Sequence, residues 1–144
     1  MKFSIVIPTF NNLEYLKLCI KSIKKNSKFA HDIKLHINEG SDGTLDYAKN
    51  NNIFFTFSKD NIGLCSAINK VTSTVNSKYV LYAHDDMYFC PGWDVSLINE
   101  IKKINHDNFF LSGTLIESNT GHIKFDCGDK ISNFDEDKLL NNYK

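Results

Sequence analysis

Short apolar runs alternate with segments of helical periodicity along most of this chain, and few folds accept that order. Phe3–Ile7 (FSIVI) is apolar and largely β-branched, which predicts a buried strand ended by Pro8. Asn11 and Glu14 have the spacing of a capping box. Leu13, Leu16, Ile20 and Ile23 then recur at helical intervals, with Lys17, Lys21, Lys24 and Lys25 mostly on the other face. Ile33, Leu35 and Ile37 alternate as in a strand, and the polar loop Glu39–Gly43 leads to a short helix near Thr44–Asn50. The pattern repeats with a strand at Ile53–Phe57, a helix over Gly63–Val75 and a strand at Tyr79–Ala83 that stops at His84-Asp85-Asp86. This order predicts an α/β fold built from βαβ units: a mainly parallel sheet with helices on both faces.

Beyond Pro91-Gly92, a helix is expected with Val95, Leu97, Ile98, Ile101 and Ile104 facing inward. A strand over Phe109–Ile116, a hairpin turn at Asn119-Thr120-Gly121 before Ile123–Phe125, and a closing helix over Asp135–Tyr143 complete the reading. With 144 residues, 42% of them hydrophobic, the chain suits one domain over 1–144 with one core.

Charge narrows the partners. Lys plus Arg is 17 and Asp plus Glu is 17, so no net charge draws the chain to nucleic acid or an anionic membrane. Cys19, Cys65, Cys90 and Cys127 are far apart and form no C-x-x-C pair, which suits free thiols in a reducing compartment. Neither a signal-peptide core nor a membrane-length apolar run is present in the sequence, and the reading is cytoplasmic, with a peripheral membrane association left open.

In an open α/β sheet, ligands bind outside the carboxyl ends of the strands. Here those ends are Thr9–Asn12, Asn38–Asp42, Lys59–Gly63 and His84–Met87, all polar, and three of the four carry carboxylates. Adjacent Asp85 and Asp86 repel each other unless a cation or hydrogen-bond donors compensate. Hard ions such as Mg²⁺ or Mn²⁺ take one or two carboxylates plus phosphate and water oxygens, so a metal–diphosphate site is one reading. A solvated pair that caps the next turn is the other, and the dipeptide alone favours it.

Four segments together resemble the family 2 glycosyltransferases. Ile5-Val-Ile-Pro-Thr-Phe-Asn-Asn12 is similar to their opening strand and loop, and Asn38-Glu-Gly-Ser-Asp-Gly-Thr44 to their D-D-G-S-x-D-G-T motif. Asn61-Ile-Gly63 with Ala67 and Asn69 resembles their N-x-G-x-x-x-A-x-N helix start, and His84-Asp85-Asp86 falls at their D-x-D motif. The ordered set covers about residues 3 to 95 and implies a GT-A fold and an inverting, metal-dependent transfer of sugar from a nucleotide-diphosphate sugar, a UDP- or GDP-sugar, to a glycan or lipid-linked acceptor hydroxyl. It implies that Pro8 and Thr9 lie against the nucleoside, that Glu39 holds the base or ribose, that Asp85 takes a ribose hydroxyl, and that Asp86 ligates Mn²⁺ or Mg²⁺.

The departures are specific. His84 replaces the first aspartate of D-x-D, Glu39 stands for an aspartate, and Ile68 and Lys70 stand where Arg and Gly are frequent. The family's general base lies on a later helix; Asp126, Asp129, Asp135, Glu136 and Asp137 match no such motif, so the acceptor half is expected to be missing, or supplied by a second chain or a C-terminal region. A non-catalytic nucleotide-sugar-binding module therefore stays open. A nucleotidyltransferase is a weaker alternative, since Thr9–Asn12 offers no glycine-rich basic loop.

Overall fold

The computed structural model describes residues 2–119 and 121–143 and divides the chain into two compact units, Met1–Phe89 and Cys90–Lys144. The first unit contains β1 (Phe3–Phe10), α1 (Leu13–Asn26), β2 (Asp32–Asn38), α2 (Thr44–Asn50), β3 (Phe54–Ser58), α3 (Leu64–Thr72) and β4 (Tyr79–Tyr82). All four strands are parallel, in the order β3-β2-β1-β4. The expected βαβ architecture is thus present, with the opening strand inside the sheet.

Successive strand residues point to opposite faces, and Ile5, Val6 and Ile7 are all fully buried, so β1 is covered on both sides. Right-handed crossovers explain how. The chain moves one way from β1 to β2 to β3, which places α1 and α2 on one face. It then steps back over β2 and β1 to reach β4, which places α3, packed against β1, β2 and β3, on the other. Leu16, Cys19, Ile20 and Ile23 bury the inner stripe of α1, and Ala67 and Val71 that of α3.

Two expectations about β1 and α1 are corrected. Pro8 does not end β1, which continues to Phe10 in register with β2 (Pro8↔His36, Phe10↔Asn38). Val6 O accepts from Ala83 N–H, so Val6 turns its peptide toward β4, and Pro8, two residues on, faces the same side. Pairing with β4 stops at Val6↔Tyr82, so the N–H that proline lacks would have met no partner strand. The capping box at Asn11 and Glu14 is absent as well. Asn12 is the N-cap residue but its side chain does not cap, and Glu14 pairs instead with Lys17 at 2.6 Å. The donor at the helix start, Leu13 N–H, is taken by Asp42 Oδ2 at 2.8 Å, from the loop after β2.

In the second unit, α4 (Trp93–Lys103) buries Ile98 and Ile101, and α5 (Glu136–Asn142) starts at Asp135, whose Oδ1 accepts from Lys138 N–H at 2.8 Å. A 3₁₀ turn spans Ile131–Asn133. The strand expected over Phe109–Ile116 shrinks to β5 (Ile116–Glu117); Gly113 weakens that run and Phe110 is 93% exposed, so its apolar content is not buried. β5 pairs with β6 (Ile123–Lys124) in parallel, Ile116↔Ile123, rather than as the two arms of a hairpin. Thr120 of the expected turn lies outside the described residues. Among the described residues, no helix is long and apolar enough to cross a membrane.

Candidate functional site

The order β3-β2-β1-β4 reverses direction between β1 and β4, the place where crossovers diverge and a crevice opens at the carboxyl ends. β1 runs on to Phe10 while its pairing with β4 stops at Val6, and that step leaves a cleft of about 330 Å³. Its walls are Pro8–Asn12 from β1 and its loop, Asn38 from β2, Asn61 and Leu64 at the start of α3, and His84 and Asp85 after β4. A second hollow, of about 380 Å³, lies at the opposite, amino ends of β2 and β3, by Lys24, Asp32 and Asn52. The sheet geometry favours the first.

Hydrogen bonds between the strand-end loops hold the cleft. Asn11 and Glu39 both have positive φ (47° and 62°), unusual for residues with side chains, and both stand just past a strand end. Asn11 Nδ2 donates to Ser41 Oγ at 3.1 Å, Ser41 N–H donates to Asn11 Oδ1 at 3.0 Å, and Ser41 Oγ donates to Glu39 Oε1 at 2.9 Å. Asp42 receives Leu13 N–H and, at 3.1 Å, Thr44 N–H, so one carboxylate anchors the starts of α1 and α2. Partial burial acts to raise its pKa, but the donors of Thr44 and Leu13 outweigh it and hold the carboxyl below its ordinary value. Asn38 Oδ1 accepts Ile62 N–H at 3.0 Å, which ties the α3 start to β2.

Asp85 is the charged group of the cleft wall. Burial pushes its pKa up and the neighbouring Asp86 adds to the rise, while Thr9 and Asn12 oppose it. Asn12 Nδ2 donates to Asp85 Oδ1 at 3.1 Å. The Thr9 hydroxyl, on a residue only 3% exposed, lies near enough to ease that charge but has no partner at hydrogen-bonding geometry. Below the loop, Cys19 Sγ donates to His84 O at 3.5 Å; burial first, then Asp85 and Asp86, push this thiol up to about 12, so it packs as a neutral group.

Of the residues singled out from sequence, the cleft gathers Pro8, Thr9 and Asp85. Glu39 is held beside it through Ser41, and Asp86 is exposed next to it, outside the lining. Asn12, Asn38 and Asn61 escaped residue-level assignment, although all three lie in or beside the polar strand ends that the topology marks. The donor set suits a hard cation, since Asp85 and Asp86 supply oxygens and their charges reinforce each other on Cys19 and Tyr82. Among the described residues, however, no group of three or more His, Cys, Asp or Glu side chains is arranged to hold a metal by itself. These residues fit an ion whose shell phosphate and water oxygens complete.

The family model described as "Glycosyl transferase family 2" matches residues 4–142. The solved structure of residues 1–349 of Staphylococcus aureus TarS is similar in fold, with a TM-score of 0.61 and 21% identity over 72% of this chain and 33% of that one. The TarS complex with UDP-GlcNAc gives 0.61, 21%, 72% and 32%, and the complex with UDP gives 0.59, 19%, 72% and 32%. The chain thus spans about a third of the length of these structures. No curated protein matches the sequence.

Proposed function

The chain belongs to glycosyl transferase family 2, and from that premise we propose that its cleft binds the nucleoside diphosphate of a sugar donor for transfer to an acceptor hydroxyl. The observation that carries this reading is the buried, unpartnered Thr9 hydroxyl beside the half-buried Asp85 carboxyl. Two polar groups held out of water at a topological switch point are pre-organised for a ligand rich in hydroxyls. Pro8 and Thr9 contact the nucleoside, Glu39 reaches base or ribose, and Asp85 accepts from a ribose hydroxyl. The TarS complexes with UDP-GlcNAc and UDP support a uridine nucleotide, and GDP is the alternative to test.

Asp86, with Asp85 beside it, would hold Mn²⁺ or Mg²⁺ together with the diphosphate oxygens. Such an ion supplies Lewis-acid stabilisation of the charge on the departing diphosphate. Transfer with inversion is a single displacement: the acceptor oxygen bonds to the anomeric carbon as the carbon–phosphate-oxygen bond breaks, and a base takes the acceptor's proton. Asp85 is the carboxylate among the cleft's lining residues, and this reading gives it to a ribose hydroxyl, so none of the lining residues is assigned as that base. This favours, as a second reading, a donor-binding module that lacks transfer activity by itself.

Calorimetric titration with UDP, GDP and ADP, each with Mn²⁺ and with chelator, tests the proposal. UDP or GDP should bind on the order of 10-fold more tightly with Mn²⁺, and Asp86→Ala should abolish that coupling. Glu39→Ala should weaken binding under both conditions. Equal affinity with Mn²⁺ and chelator would remove the metal, and no binding of any nucleotide would remove the nucleotide site. Release of UDP from UDP-GlcNAc by a bare wild-type chain would argue against the module reading.

A further inference from the structure

At the end of β4, Tyr82 Oη lies 2.8 Å from His84 Nε2, with ring centroids 5.1 Å apart. Residues two apart on extended backbone share a face, which is why these rings meet. Phenol is the stronger acid of the two and neutral imidazole nitrogen the stronger base, which favours the sense of the bond in which the O–H donates and Nε2 accepts. Burial, then the charges of Asp86 and Asp85, push the Tyr82 pKa up, so the phenol keeps its proton. A neutral imidazole that accepts at Nε2 carries its own proton on Nδ1. In that sense of the bond Tyr82 selects the tautomer of His84, which lines the cleft next to Asp85.

A diphosphate in this cleft meets an unfavourable wall. Among the lining residues Pro8, Thr9, Asn12, Asn38 and Asn61 are neutral and Asp85 is acidic, and the exposed Asp86 next to the cleft adds a second negative charge. A donor beside the acidic pair would offset part of that repulsion. We propose that His84 is the cleft's phosphate donor, giving an Nδ1–H hydrogen bond to a diphosphate oxygen, and that Tyr82 is a positioning residue that fixes this tautomer. The proposal rests on the nucleoside-diphosphate reading above. It gives the family's departure at position 84 a role: a neutral donor stands where a carboxylate would add repulsion.

The first measurement is nitrogen-15 NMR of the His84 imidazole at alkaline pH. The wild type should show the Nδ1–H form, and Tyr82→Phe should shift the ring toward Nε2–H. The second is NMR titration of the full chain with Mn²⁺-free UDP and with uridine. His84→Ala should bind UDP on the order of 10-fold more weakly, as expected for a hydrogen bond to a charged group, with uridine affinity unchanged. Tyr82→Phe should lose part of the same factor, again for UDP alone. Circular dichroism checks that each variant is folded.

An Nε2–H tautomer in the wild type overturns the proposal, as does UDP binding by His84→Ala at wild-type strength. Equal losses for UDP and uridine overturn it too, because they place His84 against the nucleoside. If wild type binds neither UDP nor uridine, nor GDP or ADP in the same titration, the nucleotide reading fails and takes the phosphate role with it, while the tautomer result separately decides the Tyr82–His84 pair.

Discussion

Asp85 shows how a single residue can serve a site at the expense of the fold. Its folded pKa lies above the ordinary 3.8, so its favourable contribution to folding is full below 3.8 and is lost as pH rises through the folded value. At neutral pH the carboxylate is a destabilising charge. Asp85→Asn, whose amide oxygen can still accept from Asn12, should raise Tm at neutral pH, with the gain vanishing as pH falls below about 3.8. The same variant should weaken nucleotide binding. Thermal melts across this range check the stability claim, and a lower Tm at neutral pH would show that Asp85 is better compensated than its surroundings indicate. Thr9 and Asp85 were legible in the sequence because strand ends and the family motifs both mark them. Asn12 was not, because the sequence puts the helix cap at Asn11 and gives Asn12 no role; only the fold reveals that Asp42 supplies the contact at Leu13 and that Asn12 turns to Asp85.

At the scale of elements, the turn between β2 and α2 is tightly constrained. Gly40 has φ +70°, and a Cβ there would lie 2.9 Å from Ile37 Cγ2 and 3.3 Å from Leu45 Cβ. Gly40→Ala combines left-handed strain with a clash against a buried strand residue, and should cost about 2–4 kcal/mol in urea denaturation. Gly92→Ala is the control, since its backbone is also left-handed (φ +80°) and its Cβ would meet nothing within 4 Å, so only the backbone cost remains. Equal losses in both would show that strain, not contact, governs the turn. The strands and helices of the first unit were readable because β-branched runs and 3.6-residue periodicity are local signals. Where β1 ends was not, because the tolerance of Pro8 depends on how far β4 extends beside it. The failed strand at Phe109–Ile116 has the opposite cause: an apolar run is a strand only when something covers it, and Phe110 is uncovered.

For the whole molecule, the stability of the sheet should centre on β1. Ile5 is fully buried and stands in register with Ile33 on one side and Leu81 on the other. Ile5→Ala should lower the unfolding free energy by about 2–5 kcal/mol. A loss below about 1 kcal/mol would place the stability elsewhere than the sheet centre. The strand order also has a consequence for synthesis. Of the four strands, β1 is made first and is an interior strand of the finished sheet, yet its second neighbour, Tyr79–Tyr82, is the last of the four to appear. At about 5–20 residues per second, on the order of 4–14 s separate the two as the ribosome proceeds. Through that interval one flank of the most apolar strand has no partner, and unpaired strand edges invite association between nascent chains. The hazard for this protein thus lies in translation, where a pause before Tyr79 prolongs it and swift passage through β3 and α3 shortens it.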